Sequence, residues 1–181
     1  MILTDREIQL AISKRQIEIR PEPALECYSS TSIDLRLGDR LNIFKTFSSE
    51  DPLETTIDPT KKYNAEREIK RLSDEITIQD DGYILQPHKF ILGWTLENVN
   101  LPMSARIAAR VEGKSSLARL GLLIHFTAPT IHSGFDNLIR LEIMNLGAIP
   151  IRLRKGMRVC QLVFELTFGT PAKGFEAVQT S

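Results

Sequence analysis

The sequence predicts a mainly β fold, a distorted β-barrel or jelly-roll-like arrangement with short helices, and three observations carry that prediction. Short runs alternate apolar and polar residues, Gly, Pro and Asp punctuate the intervals between them, and helical periodicity is confined to one N-terminal stretch. Period-2 alternation sends successive side chains to opposite faces, so each run can bury one face and wet the other. With 181 residues, 42% of them hydrophobic and 25% charged, the chain has apolar surface for one domain with a substantial core. Residues 1–181 therefore read as a single domain, with a polar insertion at about 46–74 and a short tail at about 170–181.

The first element is a short helix. Thr4-Asp5-Arg6-Glu7 has the Thr-x-x-Glu form of a capping box, and Ile8, Ala11 and Ile12 follow at helical spacing. Next, Ile33, Leu35 and Leu37 alternate with polar residues over 32–37, the pattern of a half-buried strand. Further strands are expected at 40–45, 75–79, 83–86, 90–97, 105–111, 122–127, 138–145, 149–153 and 158–166, bounded by punctuators such as Asp80-Asp81-Gly82, Leu101-Pro102 and Lys155-Gly156. The 46–74 interval, with Ser48-Ser49-Glu50-Asp51-Pro52 and the charged stretch from Lys61 to Glu68, lacks strand periodicity and reads as a solvated loop with room for one helical turn.

Charge and composition narrow the function classes. Lys plus Arg and Asp plus Glu balance at 23 each, so no global basic field favours a polynucleotide. No run of about eighteen apolar residues is present, and Met1-Ile2-Leu3-Thr4-Asp5-Arg6 lacks the basic flank and apolar core of a secretory signal. A soluble, cytoplasmic protein with no membrane partner is the expectation. Cys27 and Cys160 are too few and too far apart for a zinc knuckle and read as buried free thiols. Zinc deaminases of nucleobases use a His-x-Glu and a Pro-Cys-x-x-Cys arrangement to activate water, and the chain contains neither. No metal ligand set is assigned.

The chemistry concentrates in two stretches. Gly113-Lys114-Ser115-Ser116-Leu117-Ala118-Arg119 joins a glycine that lets backbone approach an anion, hydroxyl and amide donors at a helix start, and two cations, which suits a phosphorylated small molecule. The bland alternative is an ordinary loop leading into a capped helix. Ser115 and Arg119 are four apart, hence on one helical face, which favours a shared ligand. In Arg140-Leu141-Glu142-Ile143-Met144-Asn145, alternation points the Glu142 carboxylate away from the apolar face, where it can wall a pocket or merely pair with Arg140 or Arg152. His125, within Leu122-Leu123-Ile124-His125-Phe126, reads as a satisfied core or interface histidine, and His88 as a loop residue.

At Ser115-Ser116-Leu117-Ala118-Arg119-Leu120-Gly121-Leu122, Thr127-Ala128, Leu141-Glu142, and Arg154-Lys155-Gly156-Met157 ahead of Gln161-Leu162, the chain resembles the dCTP deaminases of the dUTPase superfamily. Weaker echoes lie in 4–8 and 32–38. The resemblance implies a dUTPase-type fold, a homotrimer with sites at subunit interfaces, and zinc-independent deamination of dCTP to dUTP, with Mg2+ carried by the triphosphate. It assigns Glu142 as general base, with Ser115 and Arg119 positioning the water and charge at the reacting centre. Nucleotide binding falls to Lys114, Ser115, Ser116, Arg119, Thr127, Ala128, His132 and Phe135, and dTTP is a candidate inhibitor.

Two departures accompany the resemblance. His132 stands where many relatives carry an aspartate, which in dUTPases activates the attacking water and in deaminases contacts the deoxyribose hydroxyl. Sugar contact, a structural histidine and a catalytic base are the three roles open to it. Phe135 can pack on the deoxyribose and exclude a 2′-hydroxyl. The tail, which in relatives closes the site, offers only Lys173, Phe175 and Gln179. Alternative functions are a bifunctional dCTP deaminase and dUTP diphosphatase giving dUMP, and a catalytically weak nucleotide-binding regulatory trimer.

Overall fold

The alternation of apolar and polar residues becomes a curled antiparallel sheet in the computed structural model, which describes residues 1–46, 56–58 and 65–173. The chain enters through α1 (Asp5–Ser13), which buries Ile8 and Ala11, then forms β1 (Glu18–Arg20), β2 (Tyr28–Ser29) and the long β3 (Ser32–Phe44). Helix α2 (Ala65–Leu72) leads into β4 (Ser73–Thr77), β5 (Tyr83–Leu85), β6 (Phe90–Asn100) and β7 (Ile107–Gly113). After the one-turn α3 (Ser115–Ala118) come β8 (Leu122–Leu123), β9 (Thr130–Ile131), β10 (Asp136–Asn145), β11 (Ile151–Leu153) and β12 (Arg158–Leu166). Along the main sheet the order is β8-β10-β6-β3-β12-β7-β9, with β1, β2 and β4 attached at its sides and β5 and β11 paired separately.

Strand β3 makes the sheet curl. Its first half pairs with β12, setting Ile33 against Leu162 and Leu35 against Cys160, while its second half pairs with β6 and β4. Between Leu37 and Leu41 the register against β6 shifts, and Gly38 stands in that irregularity. A Cβ at Gly38 would meet the Trp94 carbonyl oxygen at 3.2 Å, tighter than ordinary packing, so the close backbone approach favours glycine. The two expected strands at 32–37 and 40–45 are thus one bent strand. Ile33, Leu35 and Leu37 point inward with Leu41, Leu141, Ile143, Leu162 and Phe164, all at or near zero exposure.

Most expected strands occur with shifted ends. The 122–127 run is the main exception, since only Leu122 and Leu123 pair and the chain from Ile124 to Pro129 is irregular. Strands β1, β2 and β9 have no counterpart among the expected strands, because two or three residues are too short to show a period. In the insertion, α2 exceeds the single turn expected, and its last turn passes directly into β4. At the N-terminus the capping box is only partly made. Thr4 is the N-cap without capping a backbone N–H, and its hydroxyl instead donates to the Glu7 carboxylate, holding that carboxyl below its ordinary pKa.

Candidate active site

Glu142 lies in β10 between Leu141 and Ile143, which are 1% and 0% exposed. The alternation therefore places its half-buried carboxylate on the opposite face from the core, as the period-2 reading anticipates. Neither candidate arginine holds it. Arg140 makes a two-pronged ion pair with Glu66 of α2 at 2.5 and 3.0 Å, and Arg152 donates to the carbonyl of Asp81. Glu142 Oε2 instead accepts the backbone N–H of Phe126 at 2.9 Å, which fixes the carboxylate against the irregular segment from Ile124 to Pro129.

The second half of the site begins where β7 ends. Gly113 is its last residue, Lys114 is the N-cap of α3, and the turn is closed by the Arg119 N–H on the Ser115 carbonyl at 3.2 Å. Ser115, Ser116 and Arg119 are exposed, and an Arg119 Nη donates to Ser115 Oγ at 3.4 Å, so the i, i+4 pair does share one face. The chain then reverses at Gly121. Its φ is +90°, and a Cβ there would lie 2.5 Å from the Gly147 nitrogen, so the turn has room for glycine alone. Leu122 and Leu123 pair with Asn145 and Met144, bringing this segment alongside the strand of Glu142. No hydrogen bond or ion pair among the described residues joins Ser115 or Arg119 to Glu142.

Lys114 is engaged by Asp34. Its ammonium lies 2.5 Å from Asp34 Oδ1, and Arg158 reaches Oδ2 of the same carboxylate at 3.5 Å. Nearby, Ser32 Oγ donates to Gln161 Oε1 at 3.0 Å, and the Gln161 amide nitrogen donates to the Gly113 carbonyl at 3.3 Å. Asp34, Gln161 and Glu112 stand in one cross-strand row over β3, β12 and β7. In the next ladder the buried Glu97 accepts both the backbone N–H and the side chain of Arg36, raising the Arg36 pKa further.

Thr127 and Ala128 are exposed beside Phe126, and His132 is exposed in the turn between β9 and β10. Phe135 is half-buried and packs on the core, its carbonyl accepting from Leu101 N–H at 2.8 Å. His125 differs from the satisfied histidine expected: its Nε2 is 3.9 Å from Glu112, while its buried Nδ1 has no hydrogen-bond partner. His88 is a loop residue, with φ of +59°. Both thiols are buried, and that burial pushes Cys160 far above the ordinary thiol range. Lys173 is exposed; Phe175 and Gln179 lie outside the described residues.

The site's aromatic neighbours escaped sequence reasoning. Phe126 meets Phe90 edge-on at 5.6 Å and Phe90 stacks on Phe44 at 5.4 Å, while Trp94 lies between the Arg40 and Arg140 guanidiniums at 5.1 and 5.0 Å. Phe90, Trp94 and Glu142 share the outward face of the paired strands β6 and β10. The sequence signal for this cluster is the alternation within 90–97, which marks a face without saying what gathers on it.

A family model for dCTP deaminase-like proteins matches residues 2–167. The chain belongs to that family. It is 35% identical to a dCTP deaminase of Rhodospirillum rubrum, over the whole of this chain and 90% of the relative. It is 38% identical to a dUMP-forming dCTP deaminase of Methanosphaera stadtmanae, over 95% of this chain and 82% of the relative. Among solved structures, a 2′-deoxycytidine 5′-triphosphate deaminase from Agrobacterium tumefaciens superposes with a TM-score of 0.68 at 22% identity, covering 91% of this chain; the chain spans 48% of that protein's length. A dUTPase from phage phi11 of Staphylococcus aureus matches 90% of the chain with a TM-score of 0.52 at 11% identity. These two likenesses establish the dUTPase-like fold of this family member. No helix among the described residues is long and apolar enough to cross a membrane.

Proposed function

We propose that this protein hydrolyses dCTP to dUTP and ammonia, without zinc, in pyrimidine deoxynucleotide metabolism in the cytoplasm. The observation that carries the reading is the placement of Glu142. It is an acid on the outward face of β10, without a cationic partner among the described residues and anchored by one backbone N–H, that of Phe126. Water attacking C4 of cytosine must lose a proton and N3 must gain one, and a single carboxylate beside both can transfer it. The new hydroxyl's proton then passes to the amino group, the C4–N bond breaks to release ammonia, and the C4 carbonyl of the uracil ring remains. Ser115 and Arg119 orient the water and stabilise the developing charge, Ser116 meets phosphate oxygens, and Thr127 and Ala128 border the base. His132 hydrogen-bonds the sugar hydroxyl, and Phe135 lines the sugar side. Lys173, Phe175 and Gln179 belong to a closing tail.

Magnesium enters as part of the substrate, neutralising the triphosphate. The active unit in this reading is a homotrimer in which Ser115 and Arg119 of one copy meet Glu142 of another, and dTTP competes for the same site. Support comes from the exposed apolar side chains of Leu120, Leu146 and Ile149, 67%, 53% and 77% exposed, at the turn where Gly121 crosses Gly147. A second reading, onward cleavage to dUMP, is favoured by relatives named dUMP-forming at 38% and 39% identity, from Methanosphaera stadtmanae and Pseudarthrobacter chlorophenolicus. Incubation with Mg-dCTP, resolving ammonia, dUTP, dUMP and pyrophosphate, separates the two. Ammonia with dUTP is the expected result; dUMP with pyrophosphate selects the second, and nucleotide binding without ammonia leaves a regulatory trimer.

A further inference from the structure

We propose that Asp34 is a positioning residue for the nucleotide site: its buried carboxylate holds Lys114, and through Lys114 it holds the turn that carries Ser115 and Arg119. The link to nucleotide chemistry rests on the deaminase reading, whereas the mechanical link does not.

Asp34 lies on the outward side of β3, yet its side chain is only 5% exposed. A carboxylate so removed from water needs cationic or hydrogen-bonding partners. Two cations reach it, Lys114 on one oxygen at 2.5 Å and Arg158 on the other at 3.5 Å. Lys114 immediately precedes Ser115, and its side chain is 23% exposed, so its ammonium is neutralised inside the protein.

The turn has little else to hold it. A Cβ at Gly113 would find no atom within 4 Å, and α3 has no fully buried side chain; Leu117 alone packs in part against the core. Polar ties from the sheet take the place of packing. Gln161, oriented by Ser32, fixes the Gly113 carbonyl, and Asp34 fixes Lys114, so both residues ahead of Ser115 are tied to β12 and β3. Ser115 then sets Arg119 through the 3.4 Å hydrogen bond. A shift of about an ångström in such a turn is enough to cost on the order of 100-fold in turnover, because the groups it carries must meet a bound substrate in register.

Hydrogen exchange and kinetics on the full-length protein test this, using Asp34→Asn, Lys114→Met, their double variant and Lys114→Arg. Expected for Asp34→Asn and for Lys114→Met is roughly tenfold faster exchange of the amides of 117–121, which close the turn, with 136–145 unchanged. With Mg-dCTP, kcat/KM is expected to fall about 10- to 100-fold in Asp34→Asn and in Lys114→Met, the double being no worse than Asp34→Asn alone, with Lys114→Arg keeping most activity. Unchanged exchange at 117–121 overturns the proposal, as does a double variant whose losses multiply, since Lys114 would then act on the phosphates independently of Asp34. If Asp34→Asn does not fold, Lys114→Met alone decides through the same exchange measurement. Because exchange needs no turnover, a wild-type protein inactive on dCTP refutes the deaminase reading and leaves this proposal to be judged by the exchange arm.

Discussion

Glu142 shows how much one residue's neighbours settle. Alternation along β10 turns it outward, but the arginines that would make it an ordinary surface partner are occupied, Arg140 by Glu66 and Arg152 by a backbone carbonyl. Its sole hydrogen bond among the described residues comes from Phe126 N–H. Glu142→Gln keeps an acceptor for that N–H and removes the proton-transfer group. Turnover is expected to fall about 100-fold or more while nucleotide binding and melting temperature stay close to wild type, the scale of a lost general base. Steady-state kinetics beside calorimetric binding checks this, and near-normal turnover would remove Glu142 from the mechanism.

At the scale of elements, α2 is the piece whose role the sequence hides. Five of its eight residues are charged, and it reaches the outward face of the sheet through one of them, Glu66, which takes both Nη groups of Arg140 two residues from Glu142. Arg140 in turn lies over Trp94. Hydrogen bonding from Arg140, the leading cause and partly opposed by desolvation, holds the Glu66 carboxyl below its ordinary 4.5. The sign follows directly. The tie is complete above pH 4.5 and is lost as pH falls through the lower folded value, when protonation removes the ion pair. Exchange of the α2 amides is therefore expected to accelerate in that acid window, and in Glu66→Gln to be fast already at neutral pH. An α2 equally protected in both proteins would show that the ion pair does not dock the helix. The tie is half-exposed, so its contribution is small and screened by salt.

For the whole molecule, the proposed function turns on an arrangement between copies. Ser115 and Arg119 sit at the end of β7, and Glu142 lies on β10, with exposed apolar side chains at the turn that separates them. Light scattering is expected to report a trimer. Arg119→Ala and Glu142→Gln should each be inactive as pure proteins, and reassembly of an equal mixture should restore about a quarter of wild-type activity, the chance that one shared interface receives both intact halves. Hybrids with no recovered activity would place each complete site within one chain.

The sequence by itself determined that this is a β-rich chain with a polar turn after residue 113 and an outward acid at 142, because period-2 alternation and short polar motifs are local properties written in neighbouring residues. Its family was legible for the same reason, in Ser115 to Leu122 and Leu141-Glu142. The bend that makes one strand of residues 32–44 escaped, since a register shift is defined by the partner strand and Gly38 looks like any turn glycine until Trp94 lies against it. Also beyond local reading were Asp34 beside Lys114, Glu66 on Arg140 and Phe126 holding Glu142, pairs 80, 74 and 16 positions apart. Each depends on which strands become neighbours. Burial then decides the chemistry, because a carboxylate withdrawn from water must accept whichever donors the fold brings to it.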